Sequence, residues 1–450
     1  MRISQIIVEK LFGVFDYTIP MNMDDRITII HGPNGFGKTA ILRLINGLFN
    51  SRYSELRNIP YKEFKVVFSD ESVLTVSKTT EQREDESNGN NNATIRVSYN
   101  REDGDFVLTG IDENEGSDYG IKEFIYKSGK YYRVIEKESE VIPNLFSQKS
   151  HPQPKWFKEL TDSLHVRLIQ TQRLLALPKL HHSSKLRRPE SMSVTAVVTK
   201  YSDELAKAIQ SKLTEYATLS QSLDRTFPAR FVKEMLQDDL SPEELRSRLN
   251  ELEEKRNHLI DAGLLDKKDD VDFQIPSSID DNKKSFLSIY IKDVQQKLSV
   301  FDEIEAKIDL FKSIINERFS YKELSVSKNG ITFSTADNAP LSPTSLSSGE
   351  QHELVLLYEF LFKVKPDSLI LIDEPEISLH VAWQEQFLRD LQDIIELASF
   401  DVLIATHSPQ IIYDRWDLTV ELKGPAENGK RQNKDKLEPA AAIAATSPTE

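Results

Sequence analysis

A short apolar run, Ile27-Thr-Ile-Ile30, leads directly into Gly32-Pro-Asn-Gly-Phe-Gly-Lys-Thr39 and then into an amphipathic segment over residues 40–48. Few patterns restrict a fold so tightly. A β-branched run that is apolar on both faces belongs in the middle of a sheet, not at its edge. The pattern G-x-x-x-x-G-K-[ST], set between such a strand and a helix, is a phosphate-binding loop, because its glycines let successive backbone N–H groups turn inward around an anion. Lys38 reaches the β- and γ-phosphates of a nucleotide, and Thr39 offers a hydroxyl to Mg²⁺. Asn34, Gly35, Gly37, Lys38 and Thr39 are the nucleotide-binding candidates, with ATP and Mg²⁺ as the expected ligands. The unit predicts an α/β fold, a mixed β-sheet with flanking helices.

The remaining pattern divides the chain. Further strand-like runs lie at 3–8, 13–19, 64–68, 73–76, 368–372 and 401–405. Residues 81–93 are polar without periodicity and read as a hairpin tip or surface loop. From 196 to 324 the period turns helical. Ser241-Pro-Glu-Glu244 is a capping box with proline at the first helical position. It opens a helix with Leu245, Leu249, Leu252 and Leu259 on one stripe. After a break at 277–283, apolar residues between 287 and 315 recur every three or four positions, which predicts one long helix with a single seam. The expected organisation is an ATP-binding head from 1–195 and 325–423, an inserted helical lid or short hairpin at 196–324, and a flexible tail at 424–450.

Composition narrows the function classes. At roughly 150 residues per domain, 450 residues allow two to four units. With 57 basic against 72 acidic residues the formal charge is −15, which excludes a surface coated with base for gripping nucleic acid, though not a local basic cleft. The cluster Lys179-Leu-His-His-Ser-Ser-Lys-Leu-Arg-Arg188 is the one clear basic stretch and a candidate phosphate contact. Cysteine is absent, so disulfides, thiol nucleophiles and thiolate zinc sites are excluded. No apolar run approaches the roughly 18 residues of a membrane span. The opening residues, interrupted by Gln5 and Glu9, do not read as a signal peptide. The expectation is a soluble, cytoplasmic protein with no membrane partner.

Three further segments carry chemistry. Ser368-Leu-Ile-Leu-Ile-Asp373-Glu374 is an apolar strand ending in two carboxylates. Asp373 is placed to hold Mg²⁺ beside the phosphate loop, and Glu374, one residue on, to polarise the attacking water. Leu346-Ser-Ser-Gly-Glu350 precedes a helix expected over 351–364. There a serine hydroxyl, a glycine backbone and a helix N-terminus make an anion site from Ser347, Gly349 and Glu350. His407, in Ile404-Ala-Thr-His-Ser-Pro409, follows the next buried strand and can touch the γ-phosphate. Glu374 and His407 are the catalytic candidates.

Taken together these segments resemble the ABC-type ATPases, in particular their SMC-like and OLD-like branch. The resemblance implies that the 346–350 segment meets the γ-phosphate held by another subunit's phosphate loop, so that ATP joins two heads and hydrolysis releases them. It implies a glutamine contact to Mg²⁺ near Val166-Arg-Leu-Ile-Gln170-Thr-Gln172-Arg173, where Gln172 is favoured over Gln170. Glu376-Ile-Ser-Leu-His380 is similar to the D-loop of that branch. Ser348 stands where Ser-Gly-Gly is commoner. The opening through Leu48, with Phe12-Gly13 and Ile-Ile-His-Gly-Pro-Asn-Gly-Phe-Gly-Lys, is similar to stand-alone bacterial ATP-binding proteins. Some of those are ATPase subunits of PARIS- and Septu-type antiphage systems. A sensor ATPase governing a separate effector nuclease is the leading expectation, with a phage protein or DNA as a further partner. The effector is expected in trans because only residues 408–450 follow His407. A DNA-repair or chromosome-associated ATPase that clamps DNA is the alternative. The wide separation of the motifs argues against a transporter subunit.

Overall fold

Two sheets with different hydrogen-bonding patterns organise the computed structural model. It describes residues 1–80, 93–101, 105–108, 124–127, 130–133, 154–170, 194–233, 241–266, 281–377 and 379–424. In chain order the first elements are β1 (Ile3–Leu11), β2 (Phe15–Pro20), β3 (Ile27–His31), α1 (Lys38–Phe49), α2 (Tyr53–Asn58), β4 (Glu63–Phe68), β5 (Val73–Thr80), β6 (Ala93–Tyr99), β7 (Asp105–Val107), β8 (Phe124–Lys127) and β9 (Lys130–Arg133). Then come α3 (Lys155–Ser163), β10 (Val166–Gln170), α4 (Val194–Lys233), α5 (Pro242–Asp261), α6 (Asp281–Leu298), α7 (Asp302–Arg318), β11 (Lys322–Ser327), β12 (Gly330–Thr335) and β13 (Pro340–Leu341). The last are α8 (Ser348–Tyr358), β14 (Leu369–Asp373), α9 (Val381–Gln384), α10 (Phe387–Ala398), β15 (Asp401–Thr406), α11 (Pro409–Ile412) and β16 (Thr419–Glu421).

The parallel and antiparallel strands of the expected α/β fold are both present, sorted into separate sheets. One is antiparallel, in the order β2-β1-β4-β5-β6-β7. The other is parallel, in the order β10-β14-β15-β3-β16. Smaller sheets pair β11-β12-β13 and β8-β9. Period-two alternation on the parallel strands builds two cores at once. Leu369 and Leu371 of β14, with Leu403 and Ala405 of β15, pack on α1 and the antiparallel sheet. Ile370 and Ile372, with Val402 and Ile404, face the other way, onto α4, α7, α8 and α10. The strands are buried on both faces, which is why they read as unbroken apolar runs. Arg2 clamps the two sheets together, its Nε donating to Asp401 Oδ2 at 2.8 Å.

The helical stretch shares the second core. Val197, Val198, Tyr201, Leu205 and Ile209 of α4 are buried in it, as are Ile308, Phe311 and Ile315 of α7. The single helix expected over 287–315 is instead two, α6 and α7, joined by a 3₁₀ turn at Ser299–Phe301. Asp302, Glu303 and Glu305 crowd the first turn of α7, where negative charge favours a new helix start. The seam survives because the tight turn keeps Leu298, Phe301 and Ile304 on one buried side. The break expected at 277–283 gives way to helix by Asp281. The Ser241 capping box forms as read, and Leu245 and Leu249 of α5 pack on Leu287 and Ile291 of α6. The loop expected at 81–93 lies outside the described residues up to 92, and β5 and β6 on either side pair through Thr80 and Ala93. No described helix is long and apolar enough to cross a membrane.

Candidate functional site

The parallel strands end at one level. Register sets Gln170 of β10 opposite Asp373 of β14, Asp373 opposite Ala405 of β15, and Ala405 opposite Ile30 of β3. Just beyond that level β3, β14 and β15 leave the sheet, so residues remote in sequence gather at its carboxyl edge, where open α/β folds take their ligands. The phosphate loop, Glu374 and His407 share this edge. Gln172 lies outside the described residues, and so do the 179–188 basic cluster and Ser378.

At the phosphate loop the backbone does most of the positioning. Gly37 adopts φ 91° at the N-cap of α1, and a Cβ there would stand 2.5 Å from Leu11 Cδ2. Only glycine fits. The first turn of α1 has no side-chain cap and no acidic residue, which leaves its N–H groups to an anion. Lys38 is buried, and its Nζ donates to the carbonyls of Gly32 at 2.7 Å and Pro33 at 3.3 Å. Its ammonium therefore waits inside the loop instead of in solvent. Phe12, which the sequence reading used only as part of a resemblance, lies in the β1–β2 corner 3.4 Å from where a Gly37 Cβ would be, with 42% of its surface exposed. An exposed aromatic ring at that distance from a phosphate loop can take the face of a base. The signal available in the sequence was a large apolar residue beside a glycine in a strand-to-strand corner.

Across the loop, Thr39 Oγ1 donates to Asp373 Oδ1 at 3.0 Å. Burial holds the Asp373 carboxyl above the usual carboxylate range. The nearby charges of Glu374 and Glu376 add to that shift, against the Thr39 hydrogen bond and Arg43. A hydroxyl and a carboxylate in contact, with two more carboxylates close by, form a hard-oxygen donor set, and such a set fits Mg²⁺. Thr39 and Asp373 would hold the ion. When bound, it neutralises charge on the nucleotide phosphates.

Glu374 sits at φ 48°, left-handed for a residue with a side chain, at a cost of about 1–2 kcal/mol. Its N–H donates to Ala405 O at 2.8 Å, which anchors this strained residue to the neighbouring strand. His407 is half-exposed, with Nδ1 3.1 Å from Glu376 Oε1 and 3.6 Å from Glu374 Oε1. Glu376 does more than touch the ring. Its Oε1 also accepts from Thr406 Oγ1 at 2.9 Å and from the His407 N–H at 3.2 Å. The sequence reading assigned Glu376 no role in the site. Its signal was the third acid of Asp-Glu-Pro-Glu, which the 3₁₀ turn at Pro375–Ile377 brings back toward β15.

Ser347 is the N-cap of α8, and Glu350 completes a capping box with it. The buried residues of α8 join the core on the sheet face opposite to the one that meets α1, where they pack against α4 and α7. Ser347, Gly349 and Glu350 form the start of this helix, and no hydrogen bond or ion pair joins them to the phosphate loop among the described residues.

A family model described as AAA_15, AAA ATPase domain, matches residues 1–412. The chain belongs to this AAA ATPase family. As an AAA_15 ATPase it binds and hydrolyses ATP. Protein ea59 of Escherichia phage lambda is 35% identical over 78 residues, which span 17% of this chain and 15% of that protein. Among solved structures, the SMC head domain from Thermotoga maritima aligns over 94% of both chains at 13% identity and a TM-score of 0.37. The Smc head domain of Pyrococcus furiosus, bound to the C-terminal domain of ScpA, aligns over 91% of both at 16% identity and 0.35. The family match alone carries the assignment of activity.

Proposed function

We propose that this AAA_15 ATPase is a dimerising switch in which each ATP is shared between the phosphate loop of one copy and the Ser347–Glu350 helix end of another. One observation carries the reading. The buried residues of α1 and α8 lie in cores on opposite faces of the parallel sheet, and in this reading the two helix ends of one chain serve different nucleotides. In this reading Lys38 and Thr39 hold the phosphates and Mg²⁺ with Asp373, Glu374 polarises the water, and His407 contacts the γ-phosphate. Residues 1–195 and 325–423 act as the head, and 196–324 as the arm that follows its state.

Glu374→Gln separates binding from turnover. The variant should bind ATP and accumulate as a dimer in light scattering after size exclusion, while Lys38→Ala should bind no nucleotide and remain unassembled. Wild-type hydrolysis by Glu374→Gln would remove that carboxylate from its role.

We extend the proposal to an output: the ATP state governs a separate effector nuclease in an antiphage system. The support is the resemblance of the N-terminal segment to such ATPase subunits. The purified chain, given plasmid, single-stranded DNA or transfer RNA with ATP and Mg²⁺, should cut none of them. Cleavage abolished by a substitution in this chain would place the nuclease within it and end the separate-effector reading.

A further inference from the structure

The Glu350 carboxylate is held by more than its capping box needs. It accepts the Ser347 N–H and the Ser347 hydroxyl at 2.8 Å each, and Lys322 Nζ lies 2.7 Å from both of its oxygens. Lys322 opens β11, four positions after Arg318 closes α7, and reaches across to the start of α8. Both side chains are largely covered, at 25% and 15% exposure. Burial pushes the Glu350 carboxyl up, but the Lys322 and Ser347 hydrogen bonds together hold it below the ordinary value. It stays ionised.

A capping box asks only for an acceptor, and glutamine serves as well as glutamate. A carboxylate here carries a disadvantage for phosphate binding. It sits at the same helix end whose Ser347 hydroxyl and backbone N–H groups would meet a phosphate, and like charges set side by side cost several kcal/mol. Nothing lies within 4 Å of where a Cβ on Gly349 would be, so this end of α8 is open to an incoming group.

We propose that Lys322 is a positioning residue for ATP hydrolysis. It anchors and neutralises Glu350, and so keeps the α8 N-terminus receptive to the phosphate of a nucleotide held by a second copy of the chain. This inference rests on the shared-site reading above. It predicts that the harm done by losing Lys322 comes from the charge left on Glu350, so removing that charge as well should repair it.

The experiment compares Lys322→Ala, Lys322→Arg, Glu350→Gln and the double variant Lys322→Ala/Glu350→Gln. It measures kcat, KM for ATP, the protein concentration giving half-maximal activity, and the affinity for a fluorescent ATP analogue in dilute protein. Lys322→Ala should lower kcat about tenfold and raise the protein concentration needed, with analogue affinity changed less than about twofold, because the phosphate loop is untouched. Lys322→Arg should restore most of the activity. The double variant should match Glu350→Gln, even though it lacks the lysine. A Lys322→Ala enzyme with wild-type kcat overturns the inference, and so does a double variant no better than Lys322→Ala. Should Lys322→Ala fail to fold, the double variant against Glu350→Gln alone still decides. The shared-site reading fails separately, when Lys38→Ala and Ser347→Arg chains show no gain on mixing.

Discussion

At the scale of single residues the site depends on how one carboxylate orients another group. Glu376 accepts from the Thr406 hydroxyl and the His407 N–H, and its Oε1 lies 3.1 Å from the His407 ring Nδ1, so it stands where it could orient the imidazole. A histidine acts through one nitrogen, and the hydrogen bond at the other nitrogen sets its orientation and tautomer. Glu376→Gln keeps the size of the side chain and loses the charge facing the ring. We expect kcat to fall about tenfold to a hundredfold, as when an orienting partner of a functional histidine is removed, with KM for ATP little changed. A steady-state ATPase assay checks this. A variant with wild-type kcat would show that His407 needs no such support.

At the scale of elements, Arg318 joins three helices. It ends α7 and pairs with Glu353 of α8 and Asp390 of α10, and its guanidinium lies 5.9 Å from the ring centre of Trp383. Arg318 and Glu353 each expose only 2% of their side chains. Removing one partner of a buried pair leaves the others charged without compensation, which costs about 3–5 kcal/mol. Arg318→Ala should lose that much in urea unfolding, and a loss below about 1 kcal/mol would mean that water reaches the carboxylates. Much at this scale was legible in the sequence. The runs that became β3, β14 and β15 are β-branched and apolar on both faces, and the Ser241 capping box marked the start of α5 to the residue. What was not legible depends on contacts far apart in sequence. Which strands pair parallel and which antiparallel is decided by partners such as β10 and β14. The split between α6 and α7 hides inside a seam that the 3₁₀ turn leaves unbroken. The 40 residues of α4 were read only as part of a helical region, because their exposed outer half and Pro228 blur the period. The turn before α1 was legible in the glycines at 32, 35 and 37, since its conformation is local. Glu376 was not, since its role exists only once β14 and β15 lie side by side.

At the scale of the whole molecule, the parallel sheet divides the functions. One face meets the core that includes α1, the other the core that includes α8, and Asp373, Glu374 and His407 stand at the carboxyl edge of the strands. In the proposed reading such a chain holds a nucleotide at the phosphate loop and offers an anion seat at α8, and two-fold pairing of copies would close both seats at once. Mixing two disabled chains tests this most directly. Lys38→Ala cannot hold ATP, and Ser347→Arg cannot offer the second seat, so each alone should be inactive. Mixed in equal amounts, they form heterodimers with one intact shared site, and ATPase activity should return to about a quarter to a half of wild type. No return of activity at any ratio, from chains that fold and co-assemble, would contradict the shared site.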